Sequence, residues 1–254
     1  MSALRFAARF QGPPRSANGG FVAGSLVDAA FGVDGAAYTV RLNAPPRLDT
    51  DHDVVRDDEG VQLCEPDGLV ARARREDERR PEPVAPVALK AAGRAESRFK
   101  GLLQHPFAGC FGCGTGSDKG LHISPGEVPP AVEGRPRVAA AWIATDELPR
   151  HGADPEDAEP GEDGAEVSLA TTWTALDCAG GWAAHIEEQP IVLGEMTAQV
   201  LRLPRIGDRH VVVAEERGRS GRRIQTATSL YDAAGELLGA AEQTWIVVDP
   251  EQFT

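Results

Sequence analysis

Two short stretches carry residue types that could do chemistry: "RSANGGFVAGSLVDAA" at 15–30 and "LDCAGGWAAHIEE" at 176–188. Each sets a glycine pair, Gly19–Gly20 and Gly180–Gly181, where an apolar helix is expected to begin, with Asn18, Asp28 and Asp177 as nearby polar groups. Glycines at a helix start let it approach a sheet or a ligand closely and leave its first N–H groups unobstructed. Asp177 precedes Gly180 by three and reads either as a catalytic carboxylate or as a helix N-cap. A third stretch, "HPFAGCFGCGTGSDKGLHI", offers His105, Cys110, Cys113 and His122. A Cys-x-x-Cys knuckle can give zinc two of four ligands, but the outer spacings do not fit a standard finger, so no metal is expected. Redox chemistry is disfavoured, because the pair does not open a helix in a βαβ pattern. No Walker motif and no Gly-x-Ser-x-Gly elbow occurs, which argues against a nucleotide cofactor and an α/β-hydrolase. No cofactor is expected.

The elements that must position these residues fall into two copies of one plan. A helix at about 18–31 precedes "AAYTVRLNAPPRLDTDHDVVRDDEGVQLCEPDGLVARARRE", which reads as four strands turning at Asp57–Gly60 and Pro66–Gly68. A helix at about 178–187 precedes four more, turning at Pro204–Asp208, Ser220–Arg222 and Asp232–Gly235. "LRFAARF" and "PRVAAAWIA" supply the strand before each helix. The expected class is α+β, with a curved antiparallel sheet wrapped around a central helix in each unit. Units at 1–75 and 105–254 are joined by a charged, proline-bearing linker at 76–104. The stretch at 146–166 has nine acidic residues against Arg150 alone and reads as a loop insertion.

Composition narrows the partners. A net charge of −13 disfavours nucleic acid, which is gripped by clustered cations. No apolar run approaches the roughly 18 residues of a membrane helix, and the N-terminus lacks a signal-peptide pattern, so a soluble, cytoplasmic protein is expected. Its four cysteines are expected to be thiols. Trp142, Trp173, Trp182 and Trp245 read as core, with Trp182 also expected on a pocket wall. The arginines at 217, 219, 222 and 223 read as a solvated hairpin or as a contact for phosphates.

At these residues the sequence resembles the hotdog-fold acyl-CoA thioesterases, above all the double-hotdog medium- and long-chain enzymes. "NGGFVAGSLVDAAF" is similar to the glycine pair and central helix, "CFGCGTGSDKGLHI" to the entry segment of phenylacetate-type members, and "LLGAAEQTWIVV" to the last strand, where a Gln joins the active site. The resemblance implies a double hotdog acting on acyl-CoA, with homo-oligomers of such chains allowed. It implies that a thioester carbonyl sits over a helix N-terminus, where a backbone N–H and the dipole stabilise the oxyanion while a carboxylate activates water. Carried over, Gly20 and Gly181 supply the donors, with Gly19 and Gly180 beside the substrate, and Asn18 stands where the family often has His. Asp28 and Asp177 are the carboxylates and Gln243 the polar strand residue. Asp28 lies one residue farther from the glycines than in the family pattern, a rotation of about 100°. The Asp expected to partner Gln243 falls near Met196, between Glu195 and Thr197. Two rivals are a catalytically inactive acyl-binding protein and a hydratase, the latter requiring an Asp and His in one pocket.

Overall fold

A computed structural model describes residues 2–154 and 162–249. The first half contains β1 (Ser2–Arg5), α1 (Gly19–Phe31), β2 (Ala37–Leu42), β3 (Asp51–Asp57), β4 (Gly60–Glu65) and β5 (Gly68–Glu76). There follow α2 (Leu89–Ala95), β6 (Gly126–Glu127), β7 (Arg137–Ile143), α3 (Leu169–Ala183), β8 (Ile191–Val200), β9 (Arg209–Ser220), β10 (Arg223–Asp232) and β11 (Leu237–Val247). Each strand–helix–four-strand order is present, and all five expected turns fall between strands.

The strands form one sheet in the order β1-β3-β4-β5-β2-β8-β11-β10-β9-β7-β6. The halves meet where β2 pairs antiparallel with β8, from Ala37 opposite Gln199 to Arg41 opposite Glu195. In this seam the Thr39 hydroxyl donates to Glu76 and lies 2.7 Å from that of Thr197. Paired hydroxyls suit a buried cross-strand position, because each can donate or accept.

Both long helices lie inside the curve of the sheet. All fifteen residues of α3 are buried, as expected of a helix without a polar face. It accommodates threonines because Thr172 and Thr174 return their hydroxyl protons to the carbonyls of Ser168 and Ala170, at 3.0 and 2.9 Å. Ser168 caps its start, accepting from the Thr171 N–H at 3.1 Å. The helix therefore begins nine residues before the expected 178, and Gly180–Gly181 close it rather than open it. Side-chain crowding accounts for the pair: a Cβ on Gly180 would stand 2.7 Å from Thr226 Oγ1, and one on Gly181 would touch the Trp245 ring.

The two helices cross antiparallel at close range. A Cβ on Gly20 would sit 2.6 Å from the Asp177 Cβ, and one on Gly24 would sit 2.7 Å from the Ala170 Cα. Glycine is required there because backbone cannot move aside as a flexible side-chain end can.

The segment joining the halves is more ordered than a proline-rich connector suggests. Tyr231 donates to the Val84 carbonyl at 2.6 Å, and α2 buries Ala92 and Ala95. Of the acidic stretch at 146–166, residues 155–161 lie outside the described ones, and its flanks bridge to the strand-connecting segments through Arg150–Val167 and Glu166–Arg205. Among the described residues, no helix is long and apolar enough to cross a membrane.

The crossing predicts that Gly24→Ala destabilises the fold by about 1–3 kcal/mol through overpacking. A urea unfolding midpoint equal to that of the wild type would contradict it.

Candidate active site

Because α1 and α3 run antiparallel, the start of α1 faces the C-terminal half of α3. Asn18 caps α1, its Oδ1 accepting from the Phe21 N–H at 2.9 Å. A helix leaves its first N–H groups without internal partners, so the two before Phe21 must look outside α1. The Gly20 N–H donates to Asp177 Oδ2 at 3.0 Å, across from α1 to α3. The Gly19 N–H has no partner among the described residues, and Gly19 is half-buried on a cavity wall.

That cavity has a volume of about 460 Å³. Its walls bring together Asn18, Gly19, Asp177, Gly181 and Trp182 from the sequence-derived set, with His105, Cys110, Cys113 and Cys178. Asp177 is 3% exposed, and its Oδ1 has no hydrogen-bond partner. Burial pushes its carboxyl up to about 7, opposed by the bond from Gly20. An unpaired buried carboxylate oxygen is costly to the fold and is the kind of exception that marks reactive sites.

A loop carrying Cys110 and Cys113 forms the opposite wall. Its turn is closed by the Gly114 N–H donating to the Cys110 carbonyl at 2.8 Å, and it is tied on by Phe111 N–H to Gln11 O at 2.7 Å. Donated bonds from the Cys113 and Cys178 thiols pull the Cys110 thiol down, while those two thiols are pushed up. His105 is lowered by burial. Its Nδ1 accepts the Phe107 N–H at 3.0 Å, which leaves Nε2 to donate to the Cys113 carbonyl, also at 3.0 Å. Trp182 packs edge-on against Phe99 and His105, with centroids 4.5 and 5.1 Å away.

Three sequence-derived positions do not hold the places expected of them. Asp28 is eight residues beyond Gly20, about 12 Å along α1 at 1.5 Å per residue, and is half-buried, with His151 nearby. Gly181 is near the end of α3, so its N–H lies inside the hydrogen-bonded helix and is not a free donor. Gln243 is occupied in the core: its Nε2 donates to the Leu176 carbonyl at 2.7 Å and to Thr228 at 3.1 Å, and its Oε1 accepts from Thr226 at 2.8 Å. Asp177 is no N-cap, being the ninth residue of α3. The hairpin arginines are engaged internally: Arg217 pairs with Glu82 and Glu215, and Arg219 with Glu216. Two features of the cavity wall differ from expectation: the N–H without a partner is that of Gly19, whereas Gly20 was carried over as the donor, and Cys178 joins the wall. A cysteine 65 positions after Cys113 gives no spacing signal.

No protein-family model matches this sequence, and no curated protein matches it. Solved structures match over nearly its full length. A tesB protein of Mycobacterium avium subs paratuberculosis aligns with a TM-score of 0.58 at 12% identity, covering 97% of this chain and 92% of the other. A conserved protein with a hot dog fold from Alicyclobacillus acidocaldarius gives 0.57 at 15%, covering 98% and 93%. An acyl-CoA thioesterase II from Mycobacterium marinum gives 0.50 at 16%, covering 92% and 90%. The class defined by the architecture and these likenesses is the double hotdog, as the sequence resemblance implied.

The capping oxygen and the amide donor of Asn18 separate by mutation. Asn18→Ala is expected to cost about 1 kcal/mol as a lost N-cap, whereas Asn18→Ser keeps stability within a few tenths while removing the amide donor. Equal unfolding free energies for the two variants would contradict the capping role.

Proposed function

We propose that this protein is a thioesterase that hydrolyses acyl-CoA to the free acid and coenzyme A, using water as the nucleophile. The observation that carries the reading is the buried Asp177 carboxylate, fixed through one oxygen to the first turn of a neighbouring helix and set on the wall of the 460 Å³ cavity. In this reading the thioester carbonyl accepts from the Gly19 N–H, at the positive end of the α1 dipole. Asp177 takes a proton from water as its oxygen bonds to the carbonyl carbon. The tetrahedral intermediate then expels the thiolate of coenzyme A, which recovers the proton from Asp177. Trp182, Phe107 and Ile186 provide apolar wall for the acyl group. A second cavity of about 340 Å³ shares Trp182 and is lined by Arg98, Lys100, Arg135 and Arg137 together with Glu127 and Glu187, with Lys100 paired to both carboxylates; its excess of cations supports a contact with the phosphates of the carrier. The units at 1–75 and 105–254, with the segment 76–104 between them, act as one pair in this scheme, since α1 and α3 build a single site.

A hydratase would need an Asp and a His free in one pocket; His105 shares the cavity with Asp177, but both of its ring nitrogens are held by backbone groups. The other rival has its own support. The Gly20 N–H and Gln243, two groups carried over as catalytic, are both committed to internal partners, which favours an acyl-binding protein without turnover.

Thiol release from acyl-CoAs ranging from acetyl to palmitoyl, including phenylacetyl, tests both readings. Wild type is expected to turn over at least one substrate, and Asp177→Asn, which can still accept from Gly20, is expected to lose about 10²-fold or more in kcat with little change in KM. Asp28→Asn is expected to match the wild type. Binding without thiol release would support the acyl-binding protein, and full activity in Asp177→Asn would overturn the mechanism.

A further inference from the structure

The cluster formed by Cys110, Cys113 and Cys178 takes no part in the scheme above. Their sulfurs all lie within 4.8 Å of one another, and those of Cys110 and Cys178 are 3.7 Å apart. A tetrahedral zinc–thiolate centre with Zn–S bonds of about 2.3 Å has S···S edges of roughly 3.8 Å. We propose that Cys110, Cys113 and Cys178 bind one thiophilic divalent cation of the zinc class, with the fourth coordination position turned to the cavity.

Three features support a built site. The fold itself assembles the sulfurs: Gly112 lacks the Cβ that would fall 2.2 Å from Cys178 Sγ, so the Cys-x-x-Cys turn can seat against α3. That turn is held by backbone bonds independent of any ion, from Gly114 to Cys110, Leu121 to Phe111 and Ile123 to Gly112. The surroundings also suit thiolates, because Asn18 Nδ2 stands 3.6 Å from Cys110 Sγ and 3.7 Å from Cys178 Sγ, within donor range for sulfur. Donors of this kind orient metal-bound ligands and tune their charge.

The fourth corner is not a histidine. His105 uses both ring nitrogens on backbone groups, and His122 is exposed. All three cysteines line the cavity, so water or a thiol from that space completes the tetrahedron. On binding, each thiol gives its proton to solvent and the cation takes three thiolates, with no change of oxidation state. The ion would tie the loop to α3 and leave one position open, a pattern of sites that do chemistry as well as hold structure.

Anaerobic titration of reduced, metal-free protein with cobalt(II) tests the proposal. The expected result is one equivalent bound, with thiolate-to-cobalt charge-transfer bands and the strong visible bands of a tetrahedral ion, displaced by one equivalent of zinc. Three of the four free cysteines, already buried, should react with a thiol reagent more slowly than in the metal-free protein, while the half-buried Cys64 reacts at the same rate with and without the ion. Cys178→Ser and Cys113→Ser should lose the charge-transfer bands, while Cys64→Ser keeps them. Circular dichroism checks that the variants fold; where one does not, the wild-type stoichiometry and thiol count decide. Weak bands of an octahedral ion, unprotected thiols, a spectrum unaltered in folded Cys178→Ser, or recovery of only a Cys110–Cys178 disulfide would each overturn it. The ion enters no step of thioester cleavage, so its failure and that of the thioesterase reading are distinguishable.

Discussion

The hydrogen bond from the Gly20 N–H to Asp177 Oδ2 is the joint on which the rest of the site depends. It spans two helices that the chain places 157 residues apart, and it forms only because Gly20 and Gly24 let their backbones meet. Antiparallel crossing then fixes what faces what. The capped start of α1 meets the late turns of α3, and the cysteine loop closes over the junction. A larger residue at either glycine would push the helices apart and dissolve the cavity wall along with the packing.

The same joint explains why a carboxylate survives in the interior. Burial disfavours its charge, one donated N–H offsets part of that cost, and the second oxygen is left without a partner. An account of Asp177 as purely structural has to explain why an Asn or a Ser, each able to accept from Gly20 without the penalty of a charge, is not there. The proposed mechanism supplies a reason, because a carboxylate can move a proton and an amide cannot.

Much of the fold was legible because its signals are local. Asn18 followed by two glycines and an apolar run marked the start of α1, and the turn residues at 57–60, 66–68 and 232–235 marked hairpins. The start of α3 was hidden. Its cap, Ser168, follows an acidic stretch, and its first turns are rich in threonine, whose preference for strands is overridden by burial and by hydroxyl bonds to earlier carbonyls. Reading the second glycine pair as a copy of the first then put Gly181 at the wrong end of its helix. The site was legible as a list of types but not as a constellation. Asn18 and Asp177, both carried over as catalytic, share one cavity wall, whereas Asp28 and Gln243, suggested by sequence likeness, stand away from it, a separation that depends on long-range packing and sheet register rather than on local sequence.

The most direct test of the central claim is a crystal structure with a non-hydrolysable acyl-CoA analogue in which the thioester sulfur is replaced by a methylene. The account predicts the analogue's carbonyl oxygen about 3 Å from the Gly19 nitrogen, with its carbonyl carbon facing Asp177. A carbonyl bound away from the α1 start, or an analogue that leaves this cavity empty, would contradict it.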